Sequence, residues 1–224
     1  TLPDRAVVGA EALLRWHHPQ HGLLLPGAFI GAAEDSGMIT PIGEWVLQAA
    51  CDQLRDWAGS GLEIAVNLGA RQLADPGIVA RVTDAVDALT GDGSLVVEMT
   101  ESVLMADPAV AATRIGQFRD MGVRVAIDDF GTGYSSMAYL KWFDVDIIKI
   151  DMSFVHGMTA NRTDTEIVRC IVDLARALDL RVVAEGAETE EQLQLLTELG
   201  CTHVQGFALG RPGSAADLAA RIGR

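Results

Sequence analysis

The stretch VAIDDFGTGYSS, Val125–Ser136, sets two adjacent carboxylates, Asp128 and Asp129, at the end of an apolar, β-rich run and just before a glycine turn. Two unit negative charges about 4 Å apart repel by roughly 4 kcal/mol at an effective dielectric near 20. A buried strand that finishes on such a pair calls for a cation. The pattern is not isolated. Other β-like segments carry polar residues in their second half or just beyond it: Glu11 and Arg15, Asn67, Glu98, Lys149 and Asp151, Glu185, and Gln205. Any one of them reads equally well as a satisfied polar residue at a strand exit. Together they form a set that would converge if the strands ran parallel and opened on one face.

The elements that must position them are legible as seven β-like segments, roughly Val7–Arg15, Ile64–Leu68, Leu95–Thr100, Val123–Asp128, Val145–Asp151, Arg181–Glu185 and Thr202–Phe207. Helical patterns lie between most of them. Thr40 and Pro41 read as a cap and first turn of a helix reaching about Trp57, and Asp107 and Pro108 open another that Gly122 closes. Thr163–Asp179 carries Ile167, Cys170, Ile171, Leu174 and Leu178 at helical spacing, and Ser214 caps a last helix. Strand–helix alternation implies crossover units and a parallel sheet, and short apolar strands imply cover on both faces. The expected fold is an α/β, TIM-like (β/α)8 barrel in one domain over residues 1–224. Such a barrel wants eight strands. Seven are visible, and the turn-like Pro3-Asp4 before the first suggests another strand ahead of it.

At the carboxyl ends of a parallel barrel these polar residues would share one mouth. So many carboxylates cannot all stay ionised together without cations. No cysteine or histidine lies at these ends, so hard divalent ions with oxygen ligands fit best. Asp128 and Asp129 could serve two ions about 4 Å apart, the spacing used for in-line phosphoryl displacement. Gly131 and Gly133 would let the next loop turn sharply beside them.

Composition limits the alternatives. The 224 residues carry a formal net charge of −14, which speaks against coating a nucleic-acid polymer. Cys51, Cys170 and Cys201 are odd in number without CxxC spacing, so they suggest reduced thiols in the cytoplasm rather than a disulfide framework. No apolar run is long enough to span a bilayer, though segments outside these residues could tether the domain. GTGYSS places Ser136 where a dinucleotide-binding loop wants its third glycine. His17, His18 and His21 lie in a proline-broken loop without ligand spacing, Glu190 and Glu191 read as a solvated first helical turn, and Trp16, Trp45, Trp57 and Trp142 as core or rim packing.

The pieces EALLRW (Glu11–Trp16), VNLGARQL (Val66–Leu73), EMTES (Glu98–Ser102), IDDFGTGYSS (Ile127–Ser136), IKID (Ile148–Asp151), AEGAET (Ala184–Thr189) and QGF (Gln205–Phe207) occur in one order along nearly the whole chain. In these motifs the sequence resembles the EAL-domain family of cyclic di-GMP phosphodiesterases, although Gly69 stands where that family often has Ser. The resemblance implies hydrolysis of cyclic di-GMP to linear 5′-pGpG by water activated on two Mg²⁺ or Mn²⁺ ions, with Ca²⁺ inhibitory. It implies that Glu11, Asn67, Glu98 and Asp128 hold one ion, and that Asp128 bridges to a second held by Asp129 with Glu185 or Asp151. Lys149 would contact the attacking water or the phosphate, and Arg15 a non-scissile phosphate oxygen. Leu13 and Pro212 join the substrate-binding set, Pro212 near a guanine. Glu188 and Gln205 would support the water network and the second site, and Glu101 would anchor the loop after Asp129. Family habit adds a further N-terminal strand, fusion to upstream sensor or cyclase-like domains, and a homodimer through the loop and helix after Asp129, involving Met137, Tyr139, Leu140, Trp142 and Phe143. A cyclic di-GMP receptor without turnover, or a scaffold acting through dimerisation, is the alternative implied by the same motifs.

Overall fold

Alternating side chains explain the architecture. In the computed structural model, which describes residues 1–89, 91–133 and 140–222, the strands are β1 (Gly9–Glu11), β2 (Trp16–His18), β3 (Gly22–Leu24), β4 (Glu63–Asn67), β5 (Ser94–Thr100), β6 (Arg124–Phe130), β7 (Ile147–Ile150), β8 (Arg181–Glu185) and β9 (His203–Gln205). Seven of them form one sheet in the order β1-β4-β5-β6-β7-β8-β9, with every neighbouring pair parallel. Ile64, Val66, Leu95, Val97, Met99, Val125, Ile127, Ile148, Ile150, Val182 and Ala184 point outward into the main core shared with the helices. The alternate residues Ala65, Val96, Ala126, Ile147 and Val183 form a separate small cluster on the concave side. Side chains two residues apart share a face. Each member of the inner cluster is therefore followed, two positions on, by Asn67, Glu98, Asp128, Lys149 and Glu185 respectively.

The same parity closes the opposite end. Glu63, Arg124 and Arg181 open the alternate strands β4, β6 and β8. Glu63 accepts from Arg181 Nη1 at 2.5 Å through Oε2 and pairs with Arg124 through Oε1. A layer contributed by alternate strands is the packing rule of parallel barrels.

Boundaries differ from the sequence pattern in ways that matter. β1 stops at Glu11, so Ala12–Arg15 leave the sheet, and a regular strand no longer relates Glu11 to Arg15. The segment that reads as a loop around His18 is an antiparallel hairpin, β2 with β3, pairing Trp16 with Leu24 and His18 with Gly22. His18 Nδ1 accepts the backbone N–H groups of Gln20 and His21 at 3.1 and 3.2 Å, which gives that nitrogen a structural task. The first long helix, Ile39–Asp56, is capped by Met38 rather than Thr40, because Thr40 N–H bonds back to the Gly37 carbonyl and the turn begins earlier. Pro41 still lies in the first turn, where a missing N–H costs nothing.

Asp107 caps the helix Pro108–Asp120, with Pro108 at its first position, and Ser214 caps Ala215–Ile222. Glu190 and Glu191 are exposed in the first turn of Glu190–Glu198. Of the tryptophans, Trp16 packs edge-on against Phe29 and Trp57 is partly buried. Trp16, Trp45 and Trp142 are exposed, so core packing does not hold for them. Leu140 and Phe143 are buried in the core, so among the described residues of the surface expected to dimerise Trp142 is the one exposed; Met137 and Tyr139, like Ser136, lie outside the described residues. No helix among the described residues is long and apolar enough to cross a membrane.

The bottom layer yields a stability test. Glu63→Ala leaves two arginines facing each other without their shared carboxylate, and a partly exposed arrangement of this kind is expected to cost about 2 kcal/mol. Urea denaturation should show a lower midpoint, with a smaller loss for Glu63→Gln. An unchanged midpoint in Glu63→Ala would remove this layer from the account of the fold.

Candidate active site

A break in sheet regularity creates the site. Ile127 pairs with Ile148 and Phe130 with Ile150, so β6 spends one more residue than β7 between those two pairings. Asp128 and Asp129 together oppose the single Lys149. In a regular strand, neighbours point to opposite faces, and one of the two carboxylates would be driven into the outer core. Asp129 escapes by adopting φ +53°, a left-handed conformation that Asp tolerates better than most residues. Its N–H donates to Asp128 Oδ1 at 3.0 Å. Oxygens of Asp128, Asp129 and Glu185 then all lie within 4.8 Å of one another.

The turn that follows depends on glycine. Gly131 has φ +99°, and a β-carbon there would stand 2.9 Å from the Phe154 ring. The Gly131 N–H donates to Glu101 Oε1 at 2.8 Å, and Glu101 is itself buried at the start of the helix after β5.

Lys149 stands at the centre of the mouth, only 2% exposed. Its Nζ lies 2.7 Å from Glu98 Oε2, 2.7 Å from Glu185 Oε1, 3.2 Å from Asp128 Oδ1 and 3.8 Å from Glu11 Oε2. Glu11 is oriented from two further sides: Asn67 Nδ2 donates to its Oε1 at 2.8 Å, and Gln205 Nε2 to its Oε2 at 2.7 Å. The Gln205 contact joins β1 to β9, the two edge strands of the sheet. Because Asn67 spends its amide nitrogen on Glu11, its carbonyl oxygen stays available as a hard ligand. Asp151 caps the helix Met152–Gly157 by accepting the Ser153 N–H at 3.0 Å, and it also interacts with Asp129.

One ammonium cannot neutralise this set. Burial pushes Glu98 up to about 8 and Glu185 up to about 7, against the attraction of Lys149. Burial, with Asp128 and Asp151 alongside, also raises Asp129. Burial opposes the charge on Lys149 too, but Glu98, Glu185, Glu11 and Asp128 outweigh it, so the lysine stays protonated. The donors are carboxylate oxygens and one amide carbonyl, the chemistry that hard divalent cations take. The residues therefore fit such ions.

Four of the expected site residues stand outside this network. Arg15 turns its Nη1 to the Leu14 carbonyl at 2.8 Å, Leu13 and Pro212 are exposed, and Glu188 lies on the rim with Oε1 3.8 Å from His156 Nε2. Ser153, which holds Asp151, carried no signal in the sequence. A cleft of about 550 Å³ lined by Trp57, Ala58, Gly59, Ser60, Ala219 and Ile222 contains no ionisable group.

Fold and site define a parallel barrel whose acidic mouth offers oxygen ligands suited to hard cations. The chain belongs to the EAL domain family, whose model matches residues 1–212. It is 47% identical, over 98% of its length and 33% of the relative, to the bifunctional diguanylate cyclase/cyclic di-GMP phosphodiesterase MucR of Pseudomonas aeruginosa. It is 43% identical, over 94% of its length and 28% of the relative, to the cyclic di-GMP phosphodiesterase NbdA of the same organism. The solved PaMucR phosphodiesterase in its c-di-GMP complex shares 48% identity and superposes with a TM-score of 0.87, covering 93% of this chain and 86% of that one. The chain spans about a third of the length of the curated relatives it matches.

Two outcomes follow from the charge balance. Lys149→Met removes the one cation that the described residues bring to the cluster, and an unpaired buried charge costs about 3 kcal/mol or more. The metal-free variant should be strongly destabilised at pH 8, less so at pH 5 where protons replace the ammonium, and partly restored by divalent cations. Wild-type stability carries its own pH signature. Unfolded glutamates release protons near 4.5, whereas Glu98 and Glu185 hold theirs to about 8 and about 7. The folded state thus binds more protons in that interval, and metal-free stability should fall as pH rises from 7 to 8. Glu98→Gln should flatten that slope in chemical denaturation, and saturating Mg²⁺ should oppose it. A wild-type slope of the opposite sign would refute the assignment.

Proposed function

We propose that this domain hydrolyses cyclic di-GMP to linear 5′-pGpG with two Mg²⁺ or Mn²⁺ ions. The carrying observation is the bulge that turns Asp128 and Asp129 toward Glu185, so that three carboxylates share one small space beside Lys149. The names of MucR and NbdA and the c-di-GMP complex of PaMucR support the substrate. Glu11, Asn67, Glu98 and Asp128 would hold one ion, and Asp128 and Asp129, with Glu185 or Asp151, the other. When bound, the ions supply Lewis-acid stabilisation of phosphoryl oxygens and lower the pKa of a coordinated water.

The chain's own residues do the rest. Gln205 and Asn67 fix both oxygens of Glu11, so the carboxylate is oriented before substrate arrives. Lys149 places an ammonium where negative charge grows on the phosphoryl oxygens. Glu185, whose Oε1 lies 2.7 Å from Lys149 Nζ at the centre of the mouth, would take the proton of the attacking water. The new bond joins the water oxygen to phosphorus and the phosphorus–O3′ bond breaks; O3′ takes a proton from solvent and Glu185 gives up the one it accepted, so one water is consumed in all. Arg15 leaves the Leu14 carbonyl to clamp the second phosphate.

Turnover should require Mg²⁺ or Mn²⁺ and be suppressed by Ca²⁺, which prefers longer bonds and more ligands. Glu11→Ala should lose turnover by orders of magnitude while Ca²⁺-supported binding stays measurable. Arg15→Ala should chiefly raise KM, by about tenfold. Steady-state kinetics alongside calorimetry decide both. Turnover that survives EDTA, or wild-type rates in Glu11→Ala, would defeat the reading, and tight binding without turnover in the wild type would make the domain a receptor.

A further inference from the structure

Gln192 is buried and ties three elements together. Its Oε1 accepts the Glu188 and Thr189 N–H groups at 2.7 and 3.0 Å, and its Nε2 donates to the Val155 carbonyl at 3.2 Å. The loop after Glu185 is thereby fastened to the helix Met152–Gly157, which follows Asp151. On its other side the loop is fastened to the turn after β9. Ala187 N–H donates to the Gln205 carbonyl at 3.3 Å, and Ala208 N–H to the Ala187 carbonyl at 2.9 Å. Backbone contacts therefore fix the position of Glu188, while its side chain is left half exposed on the rim.

His156 faces that loop. A β-carbon on Gly186 would stand 2.5 Å from Met152 Cβ and 3.1 Å from His156 Nε2, so helix and loop touch at this point. His156 Nε2 is shielded from solvent and, among the described residues, has no hydrogen-bond partner. A buried polar atom in that state is costly and calls for an explanation. Glu188 Oε1 stands 3.8 Å away, just beyond hydrogen-bond length. With the backbone of Glu188 held, rotation of its side chain is enough to close the gap. Nε2 donates either in the tautomer that carries its proton there or in the imidazolium.

We propose that His156 is a positioning residue for Glu188, resting on the phosphodiesterase reading above. Its Nε2–H holds Glu188 Oε1, so that Oε2 is directed to the mouth and accepts a hydrogen bond from water there. Glu188 follows the proton acceptor Glu185 by three residues, which places the two carboxylates on one loop. An unheld rim carboxylate samples several rotamers, and each turnover must order it again. Orientation of this kind acts on the chemical step, and the loss falls on kcat rather than on KM.

The test compares the wild-type chain with His156→Phe, which keeps a ring without a donor, His156→Gln, which keeps an N–H donor, Glu188→Ala, and His156→Phe combined with Glu188→Ala. The readouts are Mn²⁺ kinetics on cyclic di-GMP, Mn²⁺ calorimetry, urea denaturation, and the imidazole nitrogen resonances of His156 in the metal-free chain. His156→Phe should lower kcat by about tenfold, with KM, Mn²⁺ affinity and urea midpoint near those of the wild type. His156→Gln should recover most of the rate. In the Glu188→Ala background, His156→Phe should cost nothing further. Glu188→Ala should also shift the His156 resonances. Wild-type kcat in His156→Phe overturns the proposal, as does additivity of the two substitutions or a His156→Gln rate as low as that of His156→Phe. Parallel losses of Mn²⁺ affinity and urea midpoint in His156→Phe assign the residue to the fold and overturn it too. Wild-type turnover that is undetectable defeats the phosphodiesterase reading instead. His156 resonances that Glu188→Ala leaves unmoved defeat the contact itself, whether or not the chain turns over.

Discussion

The mouth of this barrel is organised around one ammonium group shared by several carboxylates. Lys149 is buried deeply enough that its charge would be intolerable alone, and Glu98, Glu185, Asp128 and Glu11 surround it. Neither party is satisfied by the other. The lysine is overcompensated, and the carboxylates retain surplus negative charge that burial makes costly. Protons relieve that surplus at lower pH, and hard cations can relieve it near neutrality. In the proposed function the same imbalance reconciles an acidic mouth with an anionic diester, because bound cations would offset the carboxylates first.

The rest of the structure keeps these charges together. The concave face carries Ala65, Val96, Ala126, Ile147 and Val183 as an apolar floor, and the next inward position on each strand is a site residue. Below the floor, Glu63 with Arg124 and Arg181 closes the other end. Water is thus confined to one side of the cluster, and the low local dielectric strengthens every interaction within it. The outward positions of the same strands hold the large apolar core that supports the barrel.

Strand periodicity alone would separate Asp128 from Asp129. The extra residue in β6 and the left-handed φ of Asp129 bring both to one side, and the neighbouring carboxylates Asp151 and Glu185 then face them. Local backbone strain of this kind survives where its surroundings hold it. Here Asp128 Oδ1 accepts the Asp129 N–H, and Glu101 holds the next turn through Gly131.

Much of this was legible in the sequence. Strand-exit positions of Glu11, Asn67, Glu98, Lys149, Glu185 and Gln205 followed from alternation within short apolar runs, because period-two patterning and parallel topology are local and repetitive. The seven-stranded order, and the caps at Asp107 and Ser214, could be read for the same reason. The motifs between them named the family. What tertiary structure decided was contact across elements and departures from regularity. Nothing local states that β1 ends at Glu11, that Thr40 follows rather than precedes the start of its helix, or that Leu140 and Phe143 turn inward. Nor does it state that Gln205 and Asn67 divide the two oxygens of Glu11 between them, or that His156 faces Glu188. Those facts depend on how distant strands and loops approach one another. The adjacent aspartates mark the boundary: their types are written in the sequence, but their shared direction exists only because one unpaired residue in β6 is accommodated against β7.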